Sequence, residues 1–404
     1  MRSLDTRTTL GFALATVCID AIGIGLIFPV MPELLKTLGE FSIGEAALWG
    51  GALSMLYALL QFLCAPLLGA LSDQYGRRPV LLIGLAALTL DYAILSVAGG
   101  LFVLLVGRAI AGAAGATYAT ASAVIADITP EADRAARFGM VGATFGLGFV
   151  LGPVLGGLVA EWHVRAPFML AAMLAGLNLI FGALTFPETL PRESRRPLVW
   201  RAANPFRALY AALSLPGLST LLIAFGLFHL ANHVYPTLWA FWGNARFDWS
   251  PAMIGITLAT YGSLMAIVQG GLVGPAVSRF GEWRIAIWGC AMGLLAALGF
   301  AFVDISWMVF PLIAVAALSD LAPPALTSLM SRQVTGSEQG ALQGVLTALT
   351  ALTAVLTPPI VTGLFYFSTS PARAMPLPGA PFLVTAALLA ITIWVLCRSD
   401  RERH

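Results

Sequence analysis

Twelve times along the chain, a run of roughly 20 residues or more passes with almost no charge. No other feature limits the fold as strongly. In hydrocarbon, every backbone N–H and C=O must find its partner within the protein, which leaves helices and closed barrels as the spanning structures. A helix needs about 20 apolar residues to cross, whereas a barrel strand takes about 10 residues of alternating polarity. Runs such as Pro79–Leu90 do not alternate. The chain therefore reads as an all-α membrane protein. Its twelve transmembrane helices are expected at roughly 9–34, 45–70, 79–99, 101–124, 136–160, 166–187, 214–242, 252–277, 285–303, 306–330, 340–368 and 379–397. Composition agrees, with 59% hydrophobic and 10% charged residues against about 25% charged in soluble domains. This excludes a soluble enzyme, a disordered chain and a nucleic-acid binder. The first run exceeds the roughly 7–15 apolar residues of a removable signal peptide. It also contains Asp20 and Pro29, so it is expected to stay as the first helix.

Orientation follows from the basic residues. With the N-terminus inside, the inner segments hold 17 of the 22 Lys and Arg: Arg2, Arg7, Arg77, Arg78, Arg134, Arg137, Arg192, Arg195, Arg196, Arg201, Arg207, Arg279, Arg284, Arg332, Arg398, Arg401 and Arg403. The outer segments hold four, Lys36, Arg165, Arg246 and Arg373, and Arg108 lies within a span. Both termini are expected in the cytoplasm. The four cysteines, Cys18, Cys64, Cys290 and Cys397, fall in or beside spans and read as small apolar side chains, with neither disulfide nor metal site expected.

The widest polar interruption splits the spans six and six. It gives an N-terminal half at 1–187, a cytoplasmic linker at 188–213 and a C-terminal half at 214–404. The linker's Arg192, Arg195, Arg196, Arg201 and Arg207 suit an anionic inner leaflet. A weak repeat supports the division. Gly69-Ala-Leu-Ser-Asp73-Gln-Tyr-Gly76-Arg77-Arg78 follows span two, and Gly274-Pro-Ala-Val-Ser278-Arg-Phe-Gly281-Glu-Trp follows span eight, 205 residues later. Paired six-helix halves around a central site are one common transporter plan.

These residues carry a resemblance. Gly69-x-x-x-Asp73-x-x-Gly76-Arg77-Arg78-Pro79 resembles the loop 2–3 motif of the major facilitator superfamily, and Gly148-x-x-x-Gly152-Pro153-x-x-Gly156-Gly157 on span five resembles its antiporter motif. Asp20-Ala-Ile-Gly-Ile-Gly-Leu-Ile-Phe-Pro29, Leu90-Asp91-Tyr92, Ile125-Ala-Asp127 and Gln339-Gly-Ala-Leu-Gln343-Gly344 are similar to segments of bacterial tetracycline/proton antiporters. The resemblance spans nearly the whole chain. It implies the major facilitator fold, a multi-pass protein of the bacterial inner membrane, and export of a small amphipathic compound against protons.

An ionisable group inside lipid costs at least about 2.5–3.5 kcal/mol on insertion scales, so it reads first as a functional candidate. Four stand out: Asp20, Asp91, Arg108 and Asp320. Counted at about 1.5 Å per residue, Asp20 and Asp91 lie roughly 17–18 Å from the inner surface. By the same count Arg108 meets the depth of Asp91. A carboxylate that loses water resists ionisation, and a neighbouring guanidinium opposes that effect, so changing access to water can move a proton on or off such a site. The alternative is a structural ion pair that only fixes helix packing. The resemblance favours handling of substrate and protons.

The loop motif implies a gate. Asp73, Arg77, Arg78 and Asp127 are expected to pair or cap helix ends and so to latch one conformation. Gln74 stands where the family commonly has a basic residue, which removes one latch contact. On span five the glycines allow close helix contact and Pro153 allows a bend. Their readings are a seal against leak or ordinary packing. His229 and His233 on span seven share a helical face beside Asn232. They read as cavity-lining hydrogen-bonders ahead of proton carriers and well ahead of a metal site. Gln269 on span eight is a further polar cavity candidate. Tyr235, Trp239, Trp242, Phe247 and Trp249 read mainly as an interfacial belt.

Tetracycline exporters of the best-known type carry a histidine on helix eight and a carboxylate on helix nine. The corresponding residues here read as Met265 and Met292. Asp320, beside Ser319, is the expected replacement protonation site in the second half. The function expected is proton-coupled export of a tetracycline-like antibiotic or other drug by alternating access. A facilitator or proton symporter for a small metabolite is the alternative. No H-E-x-x-H and no G-x-x-x-x-G-K-[ST] occurs, so neither an enzyme nor direct ATP drive is expected. Neither a cofactor nor an obligate protein partner is expected either. The partners are lipid, protons and the substrate, which for a tetracycline would be its divalent-metal complex.

Overall fold

The computed structural model describes residues 6–130, 133–197, 204, 206, 218–335, 338–370 and 376–401. The expected inner arginines Arg2, Arg201, Arg207 and Arg403, and the outer Arg373, lie outside these residues. Twelve helices are long and apolar enough to cross a membrane, and no strand occurs among the described residues. In chain order they are α1 (Thr6–Ile27), α2 (Ile43–Tyr75), α3 (Arg77–Val97), α4 (Leu101–Ile128), α5 (Arg134–Ala160), α6 (Ala166–Thr185), α7 (Ser219–Phe247), α8 (Pro251–Phe280), α9 (Glu282–Phe302), α10 (Ser306–Ser331), α11 (Gln339–Thr369) and α12 (Ala380–Arg401). Each falls on one of the twelve apolar runs. Several limits differ. The first run divides at Phe28–Val30 into α1 and a short helix, Met31–Leu38, α2 and α7 each end five residues later than expected, and α4 ends four residues later.

The chain clusters into two compact units. The first comprises Met1–Gly39, Leu56–Pro205 and Pro251–Ala259. Its apolar core joins Phe12, Val17, Leu81, Leu85, Val124, Ile125 and Phe186. Lipid supplies no hydrophobic drive between helices, so close backbone approach and polar contacts must hold them. Both are present. A Cβ added at Gly148, Gly152 or Gly156 would stand 2.6 Å from the carbonyl oxygen of Cys18, Ile22 or Leu26 respectively. The glycine face of α5 thus lies directly on the backbone of α1. Gly157 faces elsewhere, toward Pro251 and Ala252. Asn178 of α6 donates to Thr16 of α1 at 3.1 Å.

The second unit comprises Glu40–Met55, Phe206–Ser250 and Thr260–His404. Its core gathers Leu221, Phe225, Ile285, Ala322, Leu342 and Leu389. Three of the five aromatic residues expected as an interfacial belt are interior, and Tyr235 and Phe247 are half-buried. Trp239, Trp242 and Trp249 are buried and pack edge to face on one another and on Phe300 and Phe382. The Trp249 indole donates to Ser306 Oγ at 2.8 Å, satisfying its polar edge.

The repeat persists as structure. Gly76 and Gly281, 205 residues apart, both hold positive φ, +110° and +81°, a conformation that glycine adopts without a Cβ penalty. Each starts a 21-residue helix, α3 or α9. α4 is interrupted after Ala113 and resumes at Thr117, and α10 is interrupted after Ala317 and resumes at Ala322, so the helices resume 205 residues apart. Ahead of Gly281, α8 contains a π turn at Val268–Leu272, which accommodates one extra residue without ending the helix. Positions before that turn therefore correspond at an offset of 204.

Candidate functional site

In the first unit the depth count places Asp91 and Arg108 together, and their side chains pair. Arg108 Nε donates to Asp91 Oδ1 at 3.2 Å, and its Nη2 pairs with Oδ2. Asp91 is fully buried. A Cβ at Gly107 would come within 2.8 Å of Asp91 Oδ1, so the glycine leaves the room that the carboxylate fills. The Arg108 guanidinium also lies 5.4 Å from the centre of the Tyr57 ring, within cation–π range.

Asp20 is also buried, but it forms neither a hydrogen bond nor an ion pair with the described residues. It interacts electrostatically with Tyr57 and Tyr92. The two acids of this unit thus differ. Asp91 is held by a cation, whereas Asp20 is left available. Beside them Gln61 donates to Tyr57 Oη at 3.3 Å and to Gly115 O at 3.0 Å, so a side chain of α2 satisfies a carbonyl freed by the break in α4.

The loop residues form a network around Arg77. It donates from Nη1 to Asp73 Oδ1 at 2.6 Å and to Ser72 Oγ at 3.1 Å, and from Nε to Asp127 Oδ2 at 3.1 Å. Arg78 Nη2 donates to Ala183 O at 2.7 Å, capping the end of α6. Gly69 sits on α2, where an added Cβ would meet nothing. Gln74 buries its Oε1 without a hydrogen-bond partner among the described residues.

Sequence reasoning missed the residue that completes this network. Glu188, just beyond α6, accepts from the Arg77 N–H at 2.8 Å and the Arg78 N–H at 3.2 Å. It places a negative charge on the free N–H groups at the start of α3. Thr189 donates to Asp127 Oδ2 at 3.2 Å, and the Arg196 N–H donates to Asp73 O at 3.1 Å. Glu188, Thr189 and Arg196, beyond α6, are therefore part of this network. The signal was the Pro187-Glu188-Thr189 sequence at the end of an apolar run.

The second unit carries the same plan with inverted charge. Glu282 stands 205 residues after Arg77, and Arg332 stands 205 after Asp127. These two pair as well, and Ser328 donates to Glu282 Oε1 at 3.4 Å.

The second unit also holds the remaining polar candidates. Asp320 lies within the break of α10 and accepts from Tyr261 Oη at 2.9 Å. Tyr235 interacts electrostatically with it. His229 lies 4.2 Å from the Phe225 ring in a tilted contact and keeps a buried Nε2 without a hydrogen-bond partner among the described residues. Asn232 donates to Phe228 O at 3.0 Å, and His233 marks the turn in α7. Gln269 is exposed within the π turn. No group of three or more His, Cys, Asp or Glu arranged to hold a metal occurs among the described residues. Ser319 is buried and Asp320 half-buried. Met265 and Met292 are half-buried.

Twelve apolar helices, an internal repeat and charged groups at membrane depth define a multi-pass secondary transporter. The chain belongs to the Major Facilitator Superfamily, whose family pattern matches residues 13–358. It is 44% identical over 400 residues to the class C tetracycline resistance protein of Escherichia coli, covering 99% of each chain. To the class G tetracycline resistance protein of Vibrio anguillarum it is 40% identical, covering 89% of this chain and 91% of that one. The fold matches the crystal structure of the nucleoside transporter NupG with a TM-score of 0.78 at 12% identity, covering 98% and 99% of the two chains.

Proposed function

We propose that this chain is a proton-coupled antiporter of the bacterial inner membrane. It exports a small amphipathic compound, a tetracycline-like antibiotic or a related drug, by alternating access. The observation that carries this reading is the contrast between Asp91, neutralised by Arg108, and Asp20, buried with no cation. That contrast occurs on a chain similar from end to end to a tetracycline resistance protein. A buried carboxylate without a cation is unstable unless protonated or paired. Asp20 is therefore the proton acceptor of the N-terminal half, with Asp91 and Arg108 supplying a fixed polar wall. Asp320 takes that role in the C-terminal half. A proton taken from outside occupies these acids as drug leaves, and its release inside resets the carrier.

The moving bodies in this reading are 1–187 and 214–404, joined by the linker, with both termini cytoplasmic. Asp73, Arg77, Arg78 and Asp127 form the latch, and the contact of Gly148, Gly152 and Gly156 with α1 is the seal that keeps protons from leaking past. His229, Asn232, His233 and Gln269 supply hydrogen bonds to cargo. A tetracycline arrives as its divalent-metal complex, with the metal part of the cargo. Everted vesicles should accumulate tetracycline and release protons from their lumen in response, and Asp20→Asn should abolish both. Accumulation that persists after the proton gradient is collapsed would exclude antiport.

A further inference from the structure

We propose that Asp320, Tyr261 and Tyr235 form a binding site for the positively charged head of a lipophilic organic cation. The inference deepens the antiport reading above and rests on it. The site begins with the internal repeat. Counted across the π turn of α8, Tyr261 occupies the position of Tyr57, 204 residues earlier, and Met265 that of Gln61. In the first unit Gln61 reaches the break in α4 by donating to the Gly115 carbonyl. In the second unit Tyr261 reaches the corresponding break in α10, but it finds a carboxylate there. The two halves therefore reach their breaks from positions one helical turn apart, and with different chemistry. The first closes its break with a neutral amide, and the second places a negative charge in it.

That charge has no counterion of its own. Among the described residues, the one hydrogen bond to Asp320 comes from a neutral phenol, and no Arg or Lys pairs with it, unlike Asp91. Tyr235 approaches from α7 with a buried hydroxyl that has no hydrogen-bond partner among the described residues. Its ring is fixed by Phe382 at 5.6 Å and Phe300 at 5.9 Å. Two phenol rings and a carboxylate supply what a poorly hydrated cation needs, namely a full negative charge and electron-rich faces. The unpaired hydroxyl adds a free hydrogen-bonding position. A proton and an organic cation cannot both neutralise one carboxylate, so the site exchanges one for the other.

Tetraphenylphosphonium is the probe, because its charge is permanent, and triphenylphosphine oxide is its neutral control. Equilibrium dialysis of the purified full chain should show saturable binding of the cation. Binding should weaken at least ten-fold in Asp320→Asn and several-fold in Tyr261→Phe, which keeps the ring and removes one oxygen. Asp320→Glu should retain most of it, and the neutral control should bind weakly and alike in all variants. The proposal is overturned if the wild-type chain does not bind the cation. It is also overturned if both variants bind like wild type, or if the neutral control binds as tightly as the cation. Everted vesicles separate this result from the reading beneath it. A wild-type chain that exchanges tetracycline for protons yet ignores the cation refutes this site alone. One that exchanges neither tetracycline nor the cation for protons refutes antiport.

Discussion

Removing Arg108 should leave Asp91 as a buried charge without a partner, and the structure sets the scale of that loss. Asp91 is fully buried and pairs with Arg108 through both oxygens. In Arg108→Gln the carboxylate has two courses. It can stay ionised, and breaking a buried pair from one side typically costs about 3–5 kcal/mol. It can instead bind a proton, which at pH 7 costs an ordinary carboxyl of pKa about 3.9 some 4 kcal/mol. The two routes give similar totals, so neither relieves the variant. The double variant Asp91→Asn/Arg108→Gln removes both charges and should recover most of the stability, with a coupling of about 3 kcal/mol across the cycle. Reversible unfolding of the four proteins in detergent measures that coupling. Single losses that simply add, to within about 0.5 kcal/mol, would refute a structural pair. Vesicle uptake adds the functional half of the test. If the pair also handles protons or cargo, the double variant should be stable and inactive, whereas restored uptake would reduce it to a packing device.

Glycine packing on α5 is a second test: Gly152→Ala places a Cβ 2.6 Å from the Ile22 carbonyl. The overpacking should cost about 1–3 kcal/mol and lower the thermal midpoint, whereas Gly139→Ala, where a Cβ meets nothing, should not. Glu188→Ala should uncap α3 at a cost of about 1–2 kcal/mol and speed amide hydrogen exchange at Arg77 and Arg78, read by mass spectrometry. At the start of α11, Glu338 accepts from the Thr335 N–H and hydroxyl, both through Oε2, and these bonds hold its carboxyl below the usual range. A lowered value stabilises the fold above the unfolded pKa and is lost as pH falls through the folded one. Exchange at residues 335–342 should therefore rise on acidification below about pH 4, and Glu338→Gln should remove that pH dependence.

The twelve spans were legible because lipid imposes one length and one polarity on every crossing segment. The pairing of Asp91 with Arg108 was legible for a related reason: a short turn between two spans converts residue counts into depth. Depth says nothing of facing, and there the reading fell short. Trp239, Trp242 and Trp249 have the composition of an interfacial belt, yet they turn inward on Phe300 and Phe382. Glu188 lies 111 residues from the helix that it caps, beyond any periodicity. The link from Tyr261 to Asp320 was hidden by the π turn. One added residue turns a helix face by about 100°, so a constant repeat offset places Tyr57 opposite Gly262 instead of Tyr261.

The inverted polarity of the Arg77–Asp127 and Glu282–Arg332 pairs bears on how the halves respond to ionic strength. Arg77 is 12% exposed and its partner Asp127 18%, whereas Arg332 is 70% exposed. At physiological salt the Debye length is about 8 Å, and screening acts on exposed charges far more than on enclosed ones. Rising salt should therefore loosen the Glu282–Arg332 pair while leaving Arg77 and Asp127 closed. A chain built from a repeat thus carries two non-equivalent ion pairs, one set by the protein interior and the other by the surrounding electrolyte.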